Sequence, residues 1–227
     1  MTEGVRSPLL GVGQVLGLLR WLRGCGHALV GVSGASFGAF ITAVSASASR
    51  EPVAVAACLP CHSAEVCWTD SVMASACDFR RLAADLRAAA AAAGDSAVAA
   101  LYGGAGGAEA ARGLLRGLLA ELTDLRRFPP PVLAAAAVLV SATDDAYIAA
   151  SSGAALHRHW AGSELRLHGG GHVTSFLFNG PAFRRACADA VARLRQYGPL
   201  APFSARLCLE VRPEQARAGT ERPALLA

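Results

Sequence analysis

Lysine is absent: all 21 basic residues of this 227-residue chain are arginine. Charged residues are few, at 17%, and aromatics are only 6%. The net charge of +4 and pI near 8.8 are mild, and the arginines are scattered along amphipathic stretches. That scatter excludes the concentrated basic patch of a nucleic-acid-binding protein. Long apolar runs are also missing. The longest, Pro131 to Ala142, spans about 12 residues, short of the roughly 18 to 20 that a bilayer crossing needs, so no transmembrane segment is expected. The N-terminus, Met-Thr-Glu-Gly, lacks the basic and apolar regions of a secretory signal. Seven cysteines are an odd number for a disulfide framework, which points to a reducing, intracellular setting of unspecified compartment. What the chain has instead is apolar content, 53% hydrophobic with a mean hydropathy of +0.38, and fifty alanines. This excludes global disorder, and the length suits one domain with a sizeable core.

Periodicity organises most of it. Leu9 to Leu22 carries Val12, Leu16, Leu19 and Leu22 on one helical stripe, closed by Gly24 and Gly26. Ala28 to Ser33 is an apolar run of strand length, expected to be buried on both faces. Ala39 to Ala48 reads as a helix and Val53 to Leu59 as a second strand, so strand, helix and parallel strand alternate. Ser63 to Cys77 is a mixed helical segment. Phe79 to Leu125 reads as two helices joined at Gly103–Gly107. Val132 to Ser141 is expected as a third strand, Tyr147 to Trp160 as a helix, and Glu164 to His168 as a fourth strand. Asn179 to Tyr197 closes the domain as a helix. Beyond Gly198 periodicity fades, and residues 198–227 are expected to form a poorly ordered tail.

The motif with the clearest mechanism is Gly34-Ala35-Ser36-Phe37-Gly38, a G-x-S-x-G between an expected strand and helix. Glycines two before and two after the serine let the backbones of a sharp turn crowd together. That turn lifts the Ser36 hydroxyl above the sheet, and the helix start offers N–H groups to a developing oxyanion. Such a site needs an acid after a later strand and then a histidine. Thr143-Asp144-Asp145 follows the third strand, and His172 follows the fourth in Gly169-Gly-Gly-His172. His172 would take the Ser36 proton and return it to the leaving group, while an aspartate fixes the imidazole tautomer. From the residues alone, Asp144 and Asp145 are equal candidates for the acid, the other capping the next helix.

The remaining candidates read blandly. Ser33 lacks the second glycine and is a strand residue. His168 ends a strand as a half-exposed edge residue, and His157 and His159 read as solvated helix positions. Cys58, Cys61, His62 and Cys67 have no second C-x-x-C pair, so buried thiols and loop residues are expected rather than a zinc site. Gly11-Val-Gly13 lies in a helical stretch, which excludes a dinucleotide fingerprint. No metal or cofactor is expected.

Between Leu9 and Tyr197 the chain resembles the α/β-hydrolases, and within them the alpha/beta-hydrolase domain-containing protein 18 family. The resemblance rests on the elbow at Gly34–Gly38, Leu59-Pro-Cys-His-Ser-Ala64, Asp145-Ala-Tyr-Ile148, Gly170-Gly-His172 and Phe176-Leu-Phe178. It favours Asp145 as the acid through Asp-Ala-Tyr-Ile. It implies a Ser36–Asp145–His172 triad, with the Phe37 backbone N–H as one oxyanion donor. The family usually has Met-Gly-Gly after the nucleophile, where this chain has Phe37-Gly38-Ala39.

The family's fold also places several strands before the elbow, one of whose loops supplies the second oxyanion donor. Here the elbow comes at residue 36, so the expected fold is a truncated α/β-hydrolase: about four parallel strands flanked by helices. Residues 1–197 would form this partial domain, with 78–128 as a helical, cap-like insertion. Strand 28–33 would be an open sheet edge, a place for self-association or a protein partner. The resemblance implies a serine hydrolase of carboxylic esters or thioesters, small-molecule or lipid, working through an acyl-enzyme. The alternative is an inactive hydrolase-like module that binds a partner through that edge.

Overall fold

The computed structural model describes the backbone of residues 2–198 and the side chains of residues 10–198. The expected tail therefore lies, beyond Gly198, outside the described residues. The chain runs α1 (Thr2–Gly24), β1 (Gly31–Ala35), α2 (Phe37–Ala48), β2 (Ala54–Cys58), α3 (Ala64–Asp70), α4 (Phe79–Ala92), α5 (Ser96–Gly103) and α6 (Gly107–Thr123). It continues with β3 (Ala137–Ala142), α7 (Ala150–His159), β4 (Glu164–His168), α8 (His172–Phe178) and α9 (Gly180–Tyr197), with three short 3₁₀ turns interspersed. The four strands are all parallel, in the spatial order β1-β2-β3-β4.

The centre of this sheet is built from small residues. β2 reads Ala-Val-Ala-Ala-Cys and is buried throughout, as is β3. Alternate side chains serve two cores, as the two-residue period of a strand requires. Val55, Ala57 and Leu139 face one side with Leu19 of α1, Ala39 and Ala43 of α2, and Leu156 at the end of α7, capped by Trp160. Ala54, Ala56, Cys58, Val138 and Val140 face the other, under Ala186, Ala190 and Leu194 of α9. The spacing of those three, four residues each, makes the buried stripe of α9. The stripe expected for α1 is present: Leu19 is buried, and Val12, Leu16 and Leu22 are half-buried.

Several expectations need correction. β1 starts three residues and ends two residues later than the apolar run suggested, and it is not buried on both faces: Gly31 and Ser33 are exposed, because among the described residues β1 is the sheet's edge and pairs only with β2. The third strand starts at Ala137, since Ala134–Ala136 form a 3₁₀ turn ahead of it. The alanine-rich region holds three helices rather than two. An extra break falls at Gly94, which has φ +76°, and Asp95 caps the next helix by accepting from the Val98 N–H. These three helices pack mainly on one another and on α3. Arg112 Nε donates to the Thr69 carbonyl at 2.9 Å, and Arg116 pairs with Asp70, tying α6 to α3. Among the described residues no helix is long and apolar enough to cross a membrane.

Candidate active site

Ser36 stands between β1 and α2 with φ +56° and ψ −120°, a conformation costly for a non-glycine residue. The turn is held in place because the Ser36 N–H donates to the Cys58 carbonyl at 2.9 Å, while its own carbonyl accepts from the Ala39 N–H. The two motif glycines are not equivalent, contrary to the expectation of symmetrical crowding. A Cβ on Gly34 would run into the Gly38 carbonyl and lie 2.9 Å from Thr42 Oγ1. A Cβ on Gly38 would meet nothing within 4 Å among the described residues. Phe37 is the first residue of α2, so its N–H has no intrahelical acceptor, and its ring is 61% exposed beside the serine.

The histidine comes from the far edge of the sheet. β1 and β4 are three strand spacings apart, roughly 14 Å, so the histidine must reach back over β2 and β3. Three consecutive glycines, Gly169–Gly171, lead the chain inward, and His172 opens α8. His172 Nε2 lies 2.8 Å from Ser36 Oγ, and its Nδ1 lies 2.7 Å from Asp145 Oδ2. A carboxylate offers only lone pairs, so Nδ1 carries the proton and Nε2 accepts from the serine hydroxyl. Asp145 is buried. Its other oxygen, Oδ1, accepts from the N–H groups of Tyr147 and Ile148, both at 2.8 Å, which delays the start of α7 to Ala150. The Tyr147 ring sits 5.0 Å from the imidazole, centroid to centroid, on its flank.

Of the two aspartates, only Asp145 reaches His172. Asp144 is exposed and turns the other way, its Oδ2 accepting from Gly170 N–H at 3.1 Å and Thr143 Oγ1 at 2.9 Å. Those bonds hold its carboxyl below its ordinary pKa, the Gly170 N–H contributing most. The sequence offered Asp144 as an equal candidate for the acid, and it did not single out the Tyr147 ring beside His172.

The other candidates sit elsewhere. Ser33 is an exposed position of β1. His168 is half-buried in β4, with Nδ1 3.2 Å from Asn179 Nδ2. His157 and His159 are half-buried rather than solvated: His157 Nδ1 lies 3.0 Å from Ser163 Oγ, and His159 Nε2 lies 2.8 Å from the Phe128 carbonyl. Burial pushes the Cys58 thiol up to about 12, with neighbouring Cys187 adding to the rise, and burial pushes Cys61 up to about 11. His62 is occupied by Ser152, whose Oγ lies 2.7 Å from its Nδ1. Among the described residues no three His, Cys, Asp or Glu side chains form a metal-binding group.

A parallel sheet with a strained serine on the first strand–helix turn, and an aspartate and a histidine after two later strands, defines the α/β-hydrolase class of architecture. The family alpha/beta hydrolase domain containing 18 matches residues 12–193, and the chain belongs to that family. Membership supports a hydrolase-type function. Among solved structures, the chain is similar to the crystal structure of MGS-M2, an alpha/beta hydrolase enzyme from a Medee basin deep-sea metagenome library. That likeness has 14% identity and a TM-score of 0.44, covering 78% of this chain and 70% of that one.

Proposed function

We propose that this chain is a serine hydrolase that cleaves a carboxylic ester or thioester through an acyl-enzyme, with Ser36 as nucleophile, His172 as base and Asp145 as its orienting acid. The observation that carries this reading is the unbroken chain Ser36 Oγ–His172 Nε2–Nδ1–Asp145 Oδ2, with steps of 2.8 and 2.7 Å, at a strained elbow. His172 Nε2 accepts the Ser36 proton as Oγ bonds to the substrate carbonyl carbon. The carbonyl oxygen gains negative charge and faces the Phe37 N–H at the start of α2. The imidazolium returns its proton to the departing alcohol or thiol, leaving the acyl group on Ser36. Water, activated by the same histidine, then releases the acid.

The surroundings favour an apolar acyl group, lipid chains included. Phe37 is exposed beside the nucleophile, and Val173, Phe176, Leu177 and Phe178 are exposed on α8 directly after the base. The test is covalent labelling of the purified chain with a fluorophosphonate probe. Labelling that vanishes in Ser36→Ala supports the reading; labelling that survives it overturns the nucleophile assignment.

A second reading rests on a different observation. Among the described residues β1 is an open edge with exposed Gly31 and Ser33, beside a groove of about 190 Å³ between the sheet and α9, lined by Val32, Ala56 and Val191. A hydrolase-like module that pairs with a partner strand would use this edge. It predicts a chain that is inert to the probe yet associates in solution.

A further inference from the structure

We propose that Asp144, beside the acid rather than instead of it, is a positioning residue that fixes the glycine loop carrying His172; this rests on the hydrolase reading of the same site. The β3–β4 ladder ends with Ala142 opposite His168, and the Thr143 N–H still donates to the His168 carbonyl at 2.9 Å. One residue further on, the two chains must part, because one turns into the acid loop and the other crosses toward Ser36. There the side chain of Asp144 takes over the role of a strand partner. The Asp144 backbone N–H donates to the Gly170 carbonyl at 3.1 Å, and its side-chain Oδ2 accepts from the Gly170 N–H at the same distance. Thr143 Oγ1 donates to that same oxygen and aims it.

The loop needs such a clamp. Three glycines in a row have the widest backbone freedom of any tripeptide, and Gly170 sits at φ +111°, where other residues are strained. On the far side Thr174 Oγ1 accepts from the Gly171 N–H at 2.9 Å. Gly170 and Gly171 are thus gripped by one side chain each, immediately before His172. Asp145 orients the imidazole; Asp144 sets where the backbone beneath it stands. The two adjacent carboxylates divide the work, and neither can substitute for the other: Asp144 does not reach the ring, and both oxygens of Asp145 are already engaged.

The experiment compares Asp144→Ala, Asp144→Asn and Asp145→Asn with the parent chain in two readouts. The first is the rate constant for fluorophosphonate labelling. The second is the low-field proton resonance of His172 Nδ1–H, assigned by its loss in His172→Ala, which requires no activity. Asp144→Ala should slow labelling by about 10- to 100-fold, the scale of a displaced catalytic group, and broaden or abolish the resonance. Asp144→Asn keeps an oxygen for the Gly170 N–H and should restore both to near the parent values. Asp145→Asn should be the most severe, by about 10⁴-fold, through the wrong tautomer. Asp144 is exposed, so the melting temperature of its variants should stay near that of the parent, which separates positioning from unfolding. Parent-level labelling and an unchanged resonance in Asp144→Ala would overturn the proposal, as would an asparagine that behaves like alanine. A parent chain that resists the probe sinks the hydrolase reading instead, while the resonance still decides the role of Asp144.

Discussion

The unequal glycines of the elbow give a sharp quantitative test. Gly34→Ala sets a methyl group against the Gly38 carbonyl, and the obstacle is backbone that cannot rotate aside. Overfilling a packed site costs typically 1–3 kcal/mol, and a backbone obstacle belongs near about 3. Alanine recovers roughly 0.5–1 kcal/mol over glycine in regular structure, leaving a net loss of about 2 kcal/mol. Gly38→Ala meets open space in the first turn of α2 and has no positive φ, so it should gain about 0.4–1 kcal/mol by restricting the unfolded chain. The two variants should therefore differ by about 3 kcal/mol, or roughly 6–12 °C in melting temperature for a domain of this size. Urea unfolding followed by far-ultraviolet circular dichroism measures both. Gly34→Ala should also slow fluorophosphonate labelling, since opening the elbow lengthens the 2.8 Å contact between Ser36 Oγ and His172. Two variants within 1 kcal/mol of each other, or in the reverse order, would refute the steric reasoning.

The buried His62 should make the fold acid-sensitive. Burial, and then the nearby Arg126 charge, lowers its pKa below the ordinary 6.5. Above that value neither folded nor unfolded His62 holds a proton; as pH falls through 6.5 the unfolded chain gains one that the folded chain resists, so stability drops. Melting temperatures measured between about pH 7.5 and 5.5 should fall less in His62→Gln than in the parent. Thiol reactivity offers a separate check. Exposed Cys25 should react with a disulfide reagent in the native chain, whereas Cys58 and Cys61, buried with raised pKa values, should react only once urea unfolds it. Native-state reaction at Cys58 would contradict the packing of β2 beneath α9.

The parallel alternation and the positions of Ser36, Asp145 and His172 were legible because strand–turn–helix chemistry leaves strong local marks: glycines, a serine, and polar residues at strand ends. Which aspartate partners His172 is ambiguous in the residues alone for a physical reason. Asp144 and Asp145 share the same strand end, and only the path of the glycine loop decides which one faces the imidazole. Boundaries failed where alanine carried no signal. Ala134–Ala136 lie within an apolar run of strand length yet form a 3₁₀ turn, and residues 79–125 concealed a break that only Gly94-Asp95 marked. α8 has no apolar stripe to mark it: Val173, Phe176, Leu177 and Phe178 are exposed and its buried residue is Ser175.

The reach of His172 from one margin of the sheet to the other makes Ser36 a gauge of the whole domain. Ser36 follows the first strand and His172 follows the last, 136 residues later, with the two central strands of the described sheet lying between them. A slip in any of the three strand pairings displaces one end of that contact. Under the proposed hydrolase reading, serine reactivity then reports cooperative assembly of all four described strands. Its loss on heating should coincide with global melting rather than precede it.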